Sequence, residues 1–361
     1  MKIIIICVIC VPFLLFNMDY NQRISLFEKL GARLSSYLKE GFPPTFQLAI
    51  EQSKHHNPWF TEEHILFALQ SISALLEKDK LSKWLEPYRT KLKDAEPSGV
   101  AVIMAGNIPL VGFHDFLCVL ISGNTFMGKL SSQDKFLLAA IKAELVNIDP
   151  SIADAIILTE EMLKGFDTVI ATGSDNSSRY FEYYFGKYPH IIRKNRNSIA
   201  ILKGNESRED MEALAKDVFL YFGLGCRNVT KLYVPAAYNF MALLEAFDIY
   251  KDRLSMHNKY MNNYEYNKSI FLIDRVPHLD TGFCLLKEDI AIASPISVLF
   301  YEYYKDTADV LNSIAAKRDK IQCLVAGKKL TDFTVPFGKS QQPELWDYAD
   351  GVDTLEFLSN L

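Results

Sequence analysis

Charge of one sign, paired cysteines and phosphate-binding glycine signatures are all scarce in this chain of 361 residues. Lys and Arg number 39 against 44 Asp and Glu, a net charge of −5. That balance offers no basic field for nucleic acid, so no nucleic-acid partner is expected. The six cysteines are scattered, and only Cys7 and Cys10, inside an apolar leader, form a C-x-x-C pair. Such usage argues against a disulfide scaffold and for a reducing, cytoplasmic setting. His55, His56 and His64 lie close together without the Cys or carboxylate pattern of a zinc site, so no metal is expected. There is no internal repeat and no low-complexity tract. Neither G-x-G-x-x-G nor G-x-x-x-x-G-K-[ST] occurs, so a dinucleotide must bind in another way.

The first residues are apolar from Ile3 to Phe16. That length suits a signal-peptide core and is short for a membrane span. No small-residue cleavage site follows in Phe16-Asn-Met-Asp-Tyr20. A start codon placed too far upstream gives this pattern, and residues 1–17 are expected to stand apart from the folded protein. No stable membrane insertion is expected.

Hydrophobic residues make up 49% and charged residues 23%, ample material for two or three domains. Residues 19–95 read as helical, with Leu26, Phe27, Leu30, Leu34 and Leu38 at helical spacing. The texture then changes. Val100 to Ala105 is a continuous apolar run of the kind buried parallel strands show. The turn Gly106-Asn-Ile-Pro109, an apolar helix from Leu110 to Ile121 and a strand Thr125-Phe-Met-Gly-Lys129 follow. Ser131 and Ser132 are expected to cap a helix reaching about Val146. A strand Thr168–Ala171, a turn Thr172-Gly-Ser174 and a helix Ser177–Phe185 repeat the motif. This alternation predicts an α/β fold with a mostly parallel sheet. Ligands in such sheets sit beyond the carboxyl ends of the strands. The small polar residues in these turns are either helix caps or phosphate contacts.

The sharpest chemical feature is Tyr221-Phe-Gly-Leu-Gly-Cys226-Arg227. Gly223 and Gly225 allow a tight turn and close approach. A cysteine just after it can present its sulfur and its own N–H to one cleft, and a thiolate is a strong nucleophile near neutral pH. The other five cysteines read as small buried hydrophobes.

In this order, the turns resemble the aldehyde dehydrogenase superfamily. Asn107-Ile-Pro109 is similar to its Asn-x-Pro turn, Ser122-Gly-Asn-Thr-Phe-Met-Gly-Lys129 to its Gly-Asn-Thr…Lys strand, Thr172-Gly-Ser174 to its Thr-Gly-Ser turn, and Gly225-Cys226 to its catalytic cysteine. Asn57-Pro-Trp-Phe-Thr61, Phe222-Gly-Leu-Gly-Cys226-Arg227 and Asp347-Tyr-Ala-Asp-Gly-Val-Asp353 further resemble the bacterial fatty acyl-CoA reductases, over essentially Met18 to Leu361.

The resemblance implies an aldehyde dehydrogenase-like fold: a Rossmann-like cofactor domain plus an α/β catalytic domain. The expected division is a leader at 1–17, a helical region and cofactor domain at 18–200, a catalytic domain at 201–320 and a C-terminal segment at 321–361 packing back on the core. Cys226 would be the nucleophile and Asn107 an oxyanion donor. Lys129, Ser131, Gly173 and Ser174 would hold the nicotinamide cofactor, NADPH or else NADH. Glu288, near an imperfect Glu-x-Phe-Gly-Pro motif, is either a ribose ligand or a solvated surface acid. The hydrolytic members' Glu-Leu-Gly-Gly stretch corresponds to Ile192-Arg-Lys-Asn-Arg-Asn-Ser198, which has no carboxylate.

The implied activity is NAD(P)H-dependent reduction of an acyl-CoA or acyl carrier thioester to the aldehyde. Two other readings stay open: a hydrolytic or phosphate-dependent aldehyde dehydrogenase on the same fold, and a thiol acyltransferase. Arg227 either binds a phosphate of the carrier or pairs with an acid. A homo-oligomer is compatible with this resemblance.

Overall fold

The computed structural model describes residues 18–94 and 96–361, so the leader expected at 1–17 lies outside the described residues. Helices fill the first part of the chain. Asp19 caps Tyr20–Glu40 in a reciprocal pair with Gln22, and Thr61 caps Glu62–Leu75 through the His64 N–H. Leu26, Leu30, Leu34, Ile65 and Leu69 bury at helical spacing in one core with the first sheet.

That sheet is parallel, with strand order β3-β2-β1-β4-β5. Its strands are β1 (Gly99–Ile103), β2 (Thr125–Lys129), β3 (Ile156–Thr159), β4 (Thr168–Thr172) and β5 (His190–Arg193). The chain steps from β1 outward to β2 and β3, then returns to the other side of β1 for β4 and β5. The order therefore reverses between β1 and β4, which makes their carboxyl ends a binding crevice.

A second sheet of seven strands has the order β12-β11-β6-β7-β10-β9-β8. Its strands are β6 (Asn197–Ile201), β7 (Val229–Pro235), β8 (Leu279–Asp280), β9 (Leu285–Glu288), β10 (Val298–Tyr304), β11 (Ile321–Val325) and β12 (Thr334–Val335). All its pairs are parallel except β8 with β9. Sheet membership changes between Arg193 and Asn197, a few residues before the division expected at 200, and β11 belongs to the same sheet as β6. The C-terminal stretch crosses back to the first core, where Trp84 Nε1 donates to the Tyr348 hydroxyl at 2.8 Å.

Helix starts differ from the sequence reading at three places: the helix expected from Leu110 begins at Phe113, Leu110 itself being left-handed at φ 56°, the one expected from Ser177 begins at Asp175, and the third follows β2. The helix after β2 is Leu137–Ile148, and Ser131 and Ser132 do not cap it. Asp134 explains the delay. Its Oδ2 accepts the Leu110 N–H at 2.8 Å and ties residues 131–134 into a turn beneath the β1 loop. Burial pushes the Asp134 carboxyl up to about 6. Among the described residues no helix is long and apolar enough to cross a membrane.

Candidate active site

The approach to Cys226 is built by long-range contacts. The helix Arg208–Phe219 ends, and the chain makes a left-handed turn with Tyr221 at φ 55°, Phe222 at φ 56° and Gly223 at φ 76°. For Tyr and Phe this conformation costs about 1–3 kcal/mol each, so their surroundings must impose it. Buried His64 does part of that work. Its Nε2 accepts the Tyr221 N–H at 3.2 Å, which leaves the proton on Nδ1, facing the Trp59 carbonyl at 3.4 Å. Burial lowers the His64 pKa to about 4, so the ring stays neutral and able to accept. The Phe222 ring packs against Trp59, His64 and His257.

Asn228 fixes the far side of the loop. Fully buried, it accepts the Gly225 N–H at 2.8 Å and donates to the carbonyls of Asp217, Val218 and Leu220. Ser198 Oγ donates to the Cys226 carbonyl at 3.0 Å. Gly225 is closely packed: a Cβ there would lie 3.0 Å from Asn228 Oδ1, a tight approach, and 3.6 Å from Ile108 Cδ1, an ordinary contact. The turn after β1 thus touches the loop before β7. Asn107 strengthens that junction, its Nδ2 donating to the Leu224 carbonyl at 2.7 Å. An amide nitrogen carries two hydrogens, so one remains for another acceptor.

Of the free cysteines among the described residues, Cys118, Cys284 and Cys323 are buried and Cys226 is exposed. It lines a cavity of about 200 Å³ together with the apolar side chains of Ala68, Ile72, Leu75, Ile108, Leu110 and Val111. A larger cavity of about 1130 Å³ adjoins it, sharing Ser71, Arg227, Gln322, Glu344 and Asp347. The protein around Cys226 nonetheless desolvates its sulfur. That desolvation pushes the Cys226 pKa up; Arg227 opposes the rise, Asp350 adds to it, and the residue's own N–H and Arg193 oppose it. Among the described residues Arg227 pairs with no acid; its Nη2 donates to the Asp347 carbonyl at 2.9 Å. Three carboxylates line the cavity, each engaged. Asp115 pairs with Arg193, Glu344 with Lys80 at 3.2 Å, and Asp347 Oδ2 accepts the Glu344 N–H at 2.9 Å.

The residues read as cofactor ligands fall mainly on the other sheet, at the carboxyl edge beside the reversal. Lys129 ends β2 and donates to the Glu160 carbonyl at 2.8 Å. Ser131 packs against Gly106, where a Cβ would come within 2.4 Å of its Oγ. Ser174 caps Asp175–Phe185 and accepts the Ser177 N–H at 3.2 Å. At Gly173 a Cβ would lie 2.8 Å from Ser177 Cβ and from the Phe181 ring, so the backbone can approach only as glycine. A crevice edged by glycine backbone and a helix N-terminus fits a dinucleotide pyrophosphate.

Glu288 stands apart from this group. It is exposed at the end of β9, in register with Tyr301 on β10. In the loop beyond it, the Ile292 carbonyl accepts from Thr230 Oγ1 on β7 at 2.7 Å. Sequence reasoning missed His64, Ser198, Asn228, Asp115 and Arg193. No local pattern marks them, because each acts on a partner at least three residues away and mostly far along the chain. Among the described residues no cluster could hold a metal ion.

The fold is that of aldehyde dehydrogenases. Aldehyde dehydrogenase 21 from Physcomitrella patens, solved with the reaction product succinate, superposes with a TM-score of 0.67 at 13% identity, over 96% of this chain and 85% of that one. An aldehyde dehydrogenase of Mycobacterium tuberculosis complexed with NAD+ gives 0.61 at 14% identity, over 86% and 74%. Among curated proteins, the long-chain acyl-protein thioester reductase of Aliivibrio fischeri is 27% identical over 172 residues, 42% of this chain and 35% of that protein. Long-chain acyl-protein thioester reductase 2 of Photobacterium leiognathi is 23% identical over 235 residues, 58% and 46%. The matches therefore span less than half the length of these relatives. The model of the acyl-CoA reductase (LuxC) family matches residues 16–245, well over half of the sequence, and the chain belongs to that family.

Proposed function

We propose that this chain reduces a fatty acyl thioester to the aldehyde through a covalent thioester on Cys226. The observation that carries the reading is the junction itself. An exposed cysteine lines a cavity with an apolar stretch of wall, and the Asn107 turn after β1 is bonded to its loop. The thiolate attacks the acyl carbonyl, and the Cys226 N–H with the free Asn107 N–H receives the oxyanion. The carrier sulfur leaves and takes up a proton, so one thioester replaces another at little free-energy cost. When bound, a reduced nicotinamide supplies the hydride that converts the acyl group to aldehyde.

Lys129, Ser131, Gly173 and Ser174 are the residues proposed to hold that cofactor. Glu288 joins them on the resemblance and on its loop's return to Thr230. NADPH is the proposed form because the reaction runs toward reduction, with NADH the alternative. The acyl chain is assigned to the wall of Ala68, Ile72, Leu75 and Val111. The carrier is CoA or an acyl protein. An exposed nucleophilic thiol fits a reducing, cytoplasmic setting. Exposed Tyr180, Tyr183 and Tyr184 on one helix support assembly of copies of the chain, which sedimentation would test.

The cavity carboxylates give the hydrolytic reading a specific observation of its own. One assay separates the two: oxidation of NADPH dependent on acyl thioester, across a chain-length series, with products identified. Aldehyde in step with NADPH consumed is expected. Free acid as the main product would overturn the reading.

A further inference from the structure

Arg193 ends β5, and its side chain is 5% exposed. It bonds Asp115, whose side chain is 10% exposed, on the helix Phe113–Ile121, and donates to Thr354 Oγ1 at 3.0 Å. Both members of this pair line the Cys226 cavity. The pairing is incomplete: Arg193 Nε and Asp115 Oδ1 are buried with no hydrogen bond among the described residues. A buried ion pair of this kind is poor evidence for stability, because desolvation offsets the attraction. Its place on the wall of a reactive cysteine asks for another role.

The charges around Cys226 come from several elements. Arg227 follows it in the loop, half-buried and bonded to a carbonyl. Asp350 also acts on Cys226 and is paired with Arg196 at 3.1 Å. Glu344 and Asp347 stand on the C-terminal loop, and His114 beside Asp115 faces the Leu345 carbonyl at 2.9 Å. Arg193 differs from Arg227 in being held on two sides and shielded from salt, so its charge acts from a fixed point in a low-dielectric wall.

We propose that Arg193 is a positioning residue for the nucleophile: its fixed guanidinium stabilises the Cys226 thiolate, and Asp115 sets how much of that charge the thiolate feels. The inference rests on Cys226 being the nucleophile. It also suits the absence of a carboxylate from residues 192–198, since a cation there favours the anionic sulfur and activates no water.

The test is the pH dependence of iodoacetamide alkylation at Cys226, read by peptide mass on the full chain without substrate or nicotinamide. Arg193→Gln should raise the midpoint by about half a unit to one unit, leaving about three- to tenfold less thiolate at pH 7.5. Asp115→Asn should move it the other way, because the guanidinium loses its counter-charge. Arg193→Lys should restore part of the wild-type midpoint. If Arg193→Gln does not fold, the double variant Arg193→Gln/Asp115→Asn removes both buried charges together. Its midpoint should lie between those of wild type and the single Arg193 variant. Midpoints that stay put in folded variants, or move in the same direction for Arg193→Gln and Asp115→Asn, would overturn the proposal. Failure of Cys226 to alkylate in wild type would instead sink the assignment of the nucleophile.

Discussion

The two sheets present opposite ends to the crevice. In the first, the residues assigned to the cofactor follow their strands: Lys129 ends β2, and Gly173 and Ser174 come after β4. In the second, Cys226 precedes its strand, standing just before β7. The hydrogen bond from Asn107 to the Leu224 carbonyl joins a carboxyl edge to an amino edge. Backbone geometry alone favours the first arrangement, because helix N-termini and loops gather at carboxyl ends. The second has to be enforced by side chains. His64, Asn228 and Ser198 hold a turn that would otherwise relax out of its left-handed conformation. The crevice therefore pairs a cheap edge, proposed to bind the cofactor, with a costly one, proposed to carry the chemistry.

The strongest way to break the comparison is to remove the reactive edge alone. Cys226→Ala should abolish thioester reduction while leaving nicotinamide binding, read by fluorescence, unchanged. Reduction at a comparable rate would move the chemistry elsewhere. Asn107→Ala strikes the junction between the edges. Loss of one oxyanion donor costs about 2.7–4 kcal/mol, roughly two to three decades in the rate of Cys226 acylation. A fall in melting temperature with acylation within a few fold would make Asn107 a loop tie only.

Gly173→Ala sharpens the contrast from the binding side. The added Cβ forces the turn away from Ser177 and Phe181, and nicotinamide affinity should weaken by about tenfold, near 1.4 kcal/mol. Acylation of Cys226 without nicotinamide should not change. Equal loss of both would mean the turn supports the whole site.

His64→Leu has the least direct effect on the chemistry and reads out on stability. An unpaired buried Tyr221 N–H costs about 1–3 kcal/mol. The pH dependence has a definite sign. Below pH 6.5 the unfolded imidazole takes up a proton that the folded ring resists until about 4. The stability His64 contributes is thus present above pH 6.5 and lost as pH falls through that window. Chemical denaturation from pH 7 to pH 4 should show a shallower decline in the variant, and an unchanged slope would contradict this role.

Much of the proposed binding edge was legible in the sequence. The apolar run at 100–105 and the strand Thr125–Lys129 depend on local composition, and the Thr172-Gly-Ser174 turn is local chemistry. The reactive edge was legible only in its glycines and its thiol. Asp134 delayed a helix that Ser131 and Ser132 seemed to begin, because its carboxylate answers to Leu110, 24 residues away. His64 reaches Tyr221 across 157 residues and Arg193 reaches Asp115 across 78, separations no periodicity encodes. Glu288 shows the converse: a motif-like position that the fold leaves exposed at a strand end.

The central claim is that the amino-edge thiol of Cys226 carries the acyl group. Wild-type protein incubated with acyl thioester and no nicotinamide, then digested and weighed, tests it most directly. One acyl mass on the peptide containing Cys226 is expected, persisting until NADPH is added and then leaving as aldehyde. A label on Cys118, Cys284 or Cys323, or release of free acid before NADPH is added, would contradict the account.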